Sequence, residues 1–176
     1  MKTGLIFLTG FMGAGKTSIG VQLAQQMKVP FIDMDREIET TCGSSISNIF
    51  KEKGEEYFRK QEELCLEKII QNNENAVIAT GGGVIKSEKN RSLMKKNGLT
   101  VFLDVSLENI IRRIGHTTHR PLLKASNLAT IYKERRPLYM QCDLVIYTEQ
   151  FQNAARGAEY LEKALHKKMK NSADEF

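Results

Sequence analysis

Cysteine is scarce and scattered. The chain has three, Cys42, Cys65 and Cys142, an odd number with no C-x-x-C pair and no Cys/His grouping at zinc spacing. That pattern excludes a disulfide framework and a structural zinc site, and it points to reduced thiols in a cytoplasmic protein. Long apolar runs are missing too, since nothing approaches the roughly 20 residues of a membrane-spanning helix. Residues 1–7 superficially resemble a secretory leader, with one lysine and then Leu5-Ile6-Phe7-Leu8. The run is too short and passes straight into glycines and Lys16, so a buried first strand is expected instead. Aromatic residues make up 7% of the chain and none falls in the basic stretch 115–126. Stacking platforms for single-stranded nucleic acid are therefore absent there. Repeats, low-complexity tracts and linkers are also lacking, which leaves residues 1–176 as one domain.

Charge is not of one sign. Against 26 lysines and arginines stand 21 acidic residues, giving a net charge of +5 and a pI near 9.1. Such a balance suits an anionic ligand, but equally a weak nucleic-acid binder, and by itself decides nothing.

Short apolar runs alternate with longer stretches of helical spacing. Strands are expected over 5–9, 29–33, 76–80, 100–105 and 144–147. Helices are expected over 16–27, 46–53, 55–71, 128–140 and 153–169, with Gly54 separating the second from the third. Two more should start at the capping residues Ser87 and Ser106 and run to Lys96 and Ile114, with Gly98 as a stop signal. Residues 115–126, interrupted by Pro121, read as a loop, and 171–176 as a frayed tail. Strand alternating with helix five times predicts an α/β fold, a parallel sheet flanked by helices.

The sharpest motif is Gly10-Phe11-Met12-Gly13-Ala14-Gly15-Lys16-Thr17, a complete G-x-x-x-x-G-K-[ST] between an apolar strand and a helix. Its glycines let successive backbone N–H groups turn inward onto phosphate oxygens, and the helix N-terminus adds positive charge. Lys16 can reach the β- and γ-phosphates, and the Thr17 hydroxyl can ligate Mg²⁺. The bland alternative is a glycine-rich turn with an exposed lysine.

Other constellations are less specific. Asp33 and Asp35 close the second strand at i and i+2, which would place both carboxylates on one side of it. One can serve the Mg²⁺ shell while the other accepts a proton from a substrate hydroxyl. Alternatively, Asp35 merely caps the next helix and Asp33 is a solvated strand end. Gly81, Gly82 and Gly83 end the third strand and suggest backbone close to a ligand, or else a tight chain reversal. Phe58, Arg59 and Glu62 share one helical face, so Arg59 can clamp a carboxylate with Glu62 orienting it. A plain surface ion pair competes with that reading. Arg112, Arg113, His116, His119, Arg120, Arg135 and Arg136 form a basic region that can close over a phosphate site or stand as a solvated face. The two histidines are given no role.

Taken in order, these stretches resemble the shikimate kinase family: G-F-M-G-A-G-K-T-S-I-G from Gly10, F-I-D-M-D-R-E-I-E from Phe31, I-S-N-I-F from Ile46, G-E-E-Y-F-R-K-Q-E from Gly54, Gly81 to Gly83, Arg120-Pro121-Leu122-Leu123, and Arg135-x-Pro137-Leu138-Tyr139. The resemblance runs as far as the fifth strand, and 148–156 has no match. It implies a three-layer P-loop fold of the nucleoside-monophosphate-kinase type, with a substrate-binding segment over about 34–62 and a lid over 115–126. It further implies transfer of the γ-phosphate of ATP to the 3-hydroxyl of shikimate, in aromatic amino-acid biosynthesis. Asp35 would bind substrate hydroxyls and act as base. Thr17 would ligate Mg²⁺ directly, with Asp33 supporting it through water. Gly13, Ala14, Gly15, Lys16, Thr17 and Ser18 would hold ATP, with Arg113 near adenine. Arg59 and Arg135 would hold the shikimate carboxylate, Gly81, Gly82 and Gly83 would add backbone contacts, and Phe50 and Phe58 would wall the pocket. Arg120 would touch both the phosphoryl group and the substrate. The implied partners are small molecules, with no nucleic acid, no membrane and a monomeric state. A gluconate-type or nucleoside-monophosphate-type kinase shares only the P-loop and sheet, and a regulator without turnover remains compatible with the charge.

Overall fold

The computed structural model describes residues 4–115 and 125–173. The lid stretch 116–124, with Arg120, His116 and His119, lies outside the described residues, as do 1–3 and 174–176.

The first strand, β1 (Gly4–Thr9), is apolar along its length because it is flanked on both edges and covered on both faces. It leads through the glycine turn into α1 (Lys16–Met27), which ends where Lys28 adopts a left-handed φ of 55°. Next come β2 (Phe31–Asp33) and α2 (Met34–Cys42), followed by α3 (Ile46–Asn72). The chain continues with β3 (Asn75–Ala79), a 3-10 turn at Val84–Lys86, α4 (Glu88–Asn97) and β4 (Gly98–Asp104). It closes with α5 (Leu107–Gly115), α6 (Ala125–Tyr139), β5 (Leu144–Tyr147) and α7 (Ala154–Ala173).

All pairings among the five strands are parallel, in the order β2-β3-β1-β4-β5. The β1 strand therefore sits centrally, with β3 on one side and β4 on the other. Loops after β1, β2 and β3 leave the same edge of the sheet, where open α/β sheets hold ligands. Helix α1 packs on β3 and against α7, while α4 packs on β4. The core is the apolar set between these layers, including Phe7, Phe11, Leu23, Leu66, Ile78 and Phe102. A smaller cluster of Ile38, Ile49 and Phe58 joins α2 to α3.

Several expected boundaries move. Strand β2 begins at Phe31, so Val29 and Pro30 precede it. Helix α2 is not among the expected helices except through the alternative in which Asp35 caps a following helix; it starts immediately after β2, and the cap is Asp33, accepting the Asp35 N–H at 3.1 Å. The two carboxylates thus do not share a strand side. Asp33 ends the strand, and Asp35 lies in the first helical turn. Gly98 is not only a helix stop but the first residue of β4. Helix α6 begins at Ala125, before the expected 128, and α7 continues through Ala173 into the stretch read as frayed.

The break at Gly54 is where the sequence placed it. The run Ile46–Asn72 is interrupted by Gly54 at φ 81° and ψ 173°, a conformation open essentially to glycine alone. Beyond this break the second half of α3 carries Phe58, Arg59 and Glu62, with Arg59 against Gly83 and Glu62 against Gly81.

Candidate active site

The turn between β1 and α1 is a cradle of backbone donors. Gly13 and Gly15 stand at φ 76° and 91°, left-handed values that let the loop curl tightly. Lys16 Nζ folds over the loop and donates to the carbonyls of Gly10 at 2.8 Å and Phe11 at 3.0 Å. Across the loop, Arg113 of α5 donates to the Gly13 carbonyl at 2.9 Å, so a cation from a distant element borders the same cradle. A cavity of about 420 Å³ opens here, lined by Lys16, Thr17, Ser18, Asp33, Asp35, Gly82 and Arg113 among others.

Thr17 Oγ1 donates to Asp33 Oδ2 at 3.0 Å, while the other Asp33 oxygen caps α2. Both groups are hard oxygen donors beside the phosphate cradle, which fits Mg²⁺, a cation that takes one or two protein ligands with substrate phosphates and water. Among the described residues no group of three or more His, Cys, Asp or Glu side chains forms a metal cage. A cation here would depend on the nucleotide for the rest of its shell.

Beyond Asp35 the floor changes character. Charged side chains press against Gly81 and Gly83. A Cβ at Gly81 would stand 2.7 Å from Glu62 Oε1 and 3.0 Å from Asp35 Oδ1, and one at Gly83 would stand 2.4 Å from Arg59 Nη1. The dull reading also holds in part, since Val84 N–H and Lys86 N–H bond back to Gly81 and Gly83 at 3.2 and 3.0 Å. Arg59 is fixed by Glu62 at 2.7 Å and Glu55 at 3.2 Å. It is no surface pair, because Glu62 is only 1% exposed. Burial pushes the Glu62 carboxyl above its ordinary range, opposed by the Arg59 charge. Its Oε1 has no hydrogen-bond partner and points toward Gly81 and Asp35.

Arg135 of α6 reaches the same floor, donating to the Gly82 carbonyl at 3.1 Å. The helix is held in place from its other side, where Arg136 pairs with Asp104 at 2.7 Å and the Tyr132 hydroxyl donates to Val105 O at 3.0 Å. Phe58 is buried, and the half-open Phe50 ring lies 4.7 Å from it. The Arg59 guanidinium sits 5.1 Å from the Phe58 ring centre, so these aromatics adjoin the cationic floor.

Two features escaped the sequence reading. One is the segment 148–154, which with Gly13, Ser18 and Arg113 lines a second cavity of about 360 Å³ on the outer side of the P-loop. Glu149 anchors this segment, with Oε1 accepting from Ser106 N at 2.7 Å and Asn109 Nδ2 at 2.7 Å. Ser106 and Asn109 lie about 40 residues from Glu149 in the chain, so the sequence carries no local signal for this grouping. The other is the depth of Glu62, which spacing alone does not reveal.

A phosphate cradle at a central parallel strand, bordered by carboxylates, is the site of a P-loop kinase. The model of the shikimate kinase family matches residues 12–166. A shikimate kinase of Chlorobaculum tepidum is 39% identical over 186 aligned residues, covering 97% of each chain. Among solved structures, shikimate kinase from Acinetobacter baumannii in complex with shikimate superposes with a TM-score of 0.87 at 34% identity, covering 94% of both chains. That of Aquifex aeolicus gives a TM-score of 0.80 at 34% identity, covering 92% of this chain and 96% of that one. The chain belongs to the shikimate kinase family.

Proposed function

We infer that this chain transfers the γ-phosphoryl group of ATP to the 3-hydroxyl of shikimate, giving shikimate 3-phosphate on the route to chorismate and aromatic amino acids. The observation that carries the reading is the juxtaposition of Asp35 with two guanidinium groups, Arg59 and Arg135, around Gly81 to Gly83 at the mouth of the P-loop. Shikimate is a small ring with hydroxyls at one end and a carboxylate at the other. Such a molecule calls for one aspartate toward the hydroxyls and fixed arginines toward the carboxylate.

In this reading Gly13, Ala14, Gly15, Lys16, Thr17 and Ser18 bind the phosphates, and Arg113 borders the nucleotide on the side of the 148–154 cavity. Mg²⁺ bound with ATP would neutralise charge on the β- and γ-phosphates, with Thr17 as protein ligand and Asp33 supporting it. Asp35 orients the 3-hydroxyl and takes its proton as the oxygen attacks. Arg59, held by Glu62, and Arg135 bind the carboxylate, with the Phe58 and Phe50 rings closing the apolar side. Lys16 stabilises charge on the transferred group. Arg120, in the lid assigned to 115–126, is given its contact with phosphoryl group and substrate on the family resemblance. The segment 34–62 is the acceptor-binding part of a single domain that acts as a monomer. The free thiols of Cys42, Cys65 and Cys142 suit a cytoplasmic setting. Nucleic acid and membrane are not partners in this scheme.

The test is acceptor choice. With Mg·ATP, phosphate transfer is measured to shikimate, to gluconate and to nucleoside monophosphates, with the product's phosphorylated position read by NMR. Transfer confined to shikimate O3 is expected; transfer to gluconate or a nucleotide with none to shikimate would overturn the reading.

A further inference from the structure

The Gly82 carbonyl accepts from two side chains of α6 at once, Arg135 Nη1 at 3.1 Å and the hydroxyl of Tyr139. Tyr139 is 2% exposed, and its ring stacks on Phe102 of β4 with centroids 4.9 Å apart and planes 12° from parallel. That stack fixes the ring, so the hydroxyl has one place to go. Burial pushes its phenol far above the ordinary range, and the group stays a donor throughout the working pH range. Gly82 also faces the P-loop, since a Cβ on it would lie 3.5 Å from Met12 N and 3.6 Å from Gly10 O. Its carbonyl therefore stands at the seam between the nucleotide cradle and the cationic floor.

We propose that Tyr139 is a positioning residue for the carboxylate end of the acceptor: by holding the Gly82 carbonyl, it frees Arg135 to turn onto the substrate carboxylate. The inference rests on the reading of Arg135 as a carboxylate-binding group. A carbonyl oxygen can take two donors, and one satisfies it. With both present, Arg135 can leave without stranding a partly buried acceptor. Without the hydroxyl, Arg135 is the remaining side-chain donor to that oxygen among the described residues. Moving it to the substrate would then leave the carbonyl unmet, at the cost of an unsatisfied polar group. The guanidinium is thereby held back from the ligand.

Tyr139→Phe removes the hydroxyl and keeps the ring on Phe102. Steady-state kinetics on the full chain should show the KM for shikimate rising roughly tenfold, with kcat and the KM for ATP within roughly twofold of the parent. In an Arg135→Ala background the same substitution should add less than roughly a further twofold, because the two residues act through one carbonyl. Calorimetric binding of shikimate to the folded variants, with their melting temperatures, supplies a second readout. If Arg135→Ala raises the KM for shikimate but Tyr139→Phe does not, the proposal is overturned and the carboxylate reading stands. If Arg135→Ala leaves that KM unchanged, the carboxylate reading itself falls. A Tyr139→Phe variant with a lowered melting temperature and equal losses for both substrates would make the residue merely structural, and would also overturn the proposal.

Discussion

Single oxygens and nitrogens decide the chemistry of this site. Asp35 stands where the phosphate cradle meets the cationic floor, within reach of Gly81 and Glu62. Asp35→Asn keeps the shape and removes the proposed base, so kcat should fall by roughly 10²-fold or more, with ATP affinity unchanged in a direct binding titration. Retained turnover would remove Asp35 from the proton transfer. Glu62 makes a prediction about pH. Burial raises its pKa in the folded state, so the native protein holds a proton there that the unfolded chain has lost. Its contribution to stability is therefore greatest below the ordinary glutamate value, about 4.3, and is lost as pH rises through the raised native pKa. Glu62→Gln lacks that loss. Thermal melts from acid to neutral pH should show the variant gaining on the parent, whereas a constant difference would contradict the account. At this scale the sequence names residue types but not their depth. The i, i+3 spacing of Arg59 and Glu62 equally describes a solvated pair. What buries Glu62 is the arrival of the Gly81 loop from a strand distant in sequence.

Elements place those groups. The Gly54 bend in α3 is the clearest case, with φ 81° and ψ 173° and open space where a Cβ would go. Gly54→Ala meets no clash but must hold a conformation that costs about 1–3 kcal/mol for a residue with a Cβ. Denaturant unfolding should show a loss of that order, and equal stability would mean the bend is not held as described. If α3 straightens to relieve the strain, Phe58 and Arg59 shift and the KM for shikimate rises as well. Most elements were legible because their periods are distinct: five apolar runs against longer stretches of helical spacing, with Ser87 and Ser106 as caps. Helix α2 was not, because it is short, buries only Met34 and Ile38, and follows β2 without a turn. Its one local signal is the cap, Asp33, a residue that also ends β2. The 148–154 segment carries no periodic signal, and it is held by Glu149 reaching across to the start of α5.

The whole molecule is organised by strand order. Alternation of strand and helix predicts a parallel sheet, but the order β2-β3-β1-β4-β5 is read only from the structure, because periodicity carries no information on which strands pair. That order matters for function because it sets β1 and its P-loop beside β3 and its glycines, with Asp33 one strand further on. The net charge of +5, spread over 26 basic and 21 acidic residues, is less informative than the convergence of Arg59 and Arg135 on Gly82 and Gly83. No helix among the described residues is long and apolar enough to cross a membrane. The most direct measurement is ADP release from ATP, followed with a coupled assay in the presence of Mg²⁺ and shikimate, and repeated with each omitted. Turnover that requires all three is the predicted result. ADP release that proceeds without shikimate, or none with all three present despite bound nucleotide, would contradict the account.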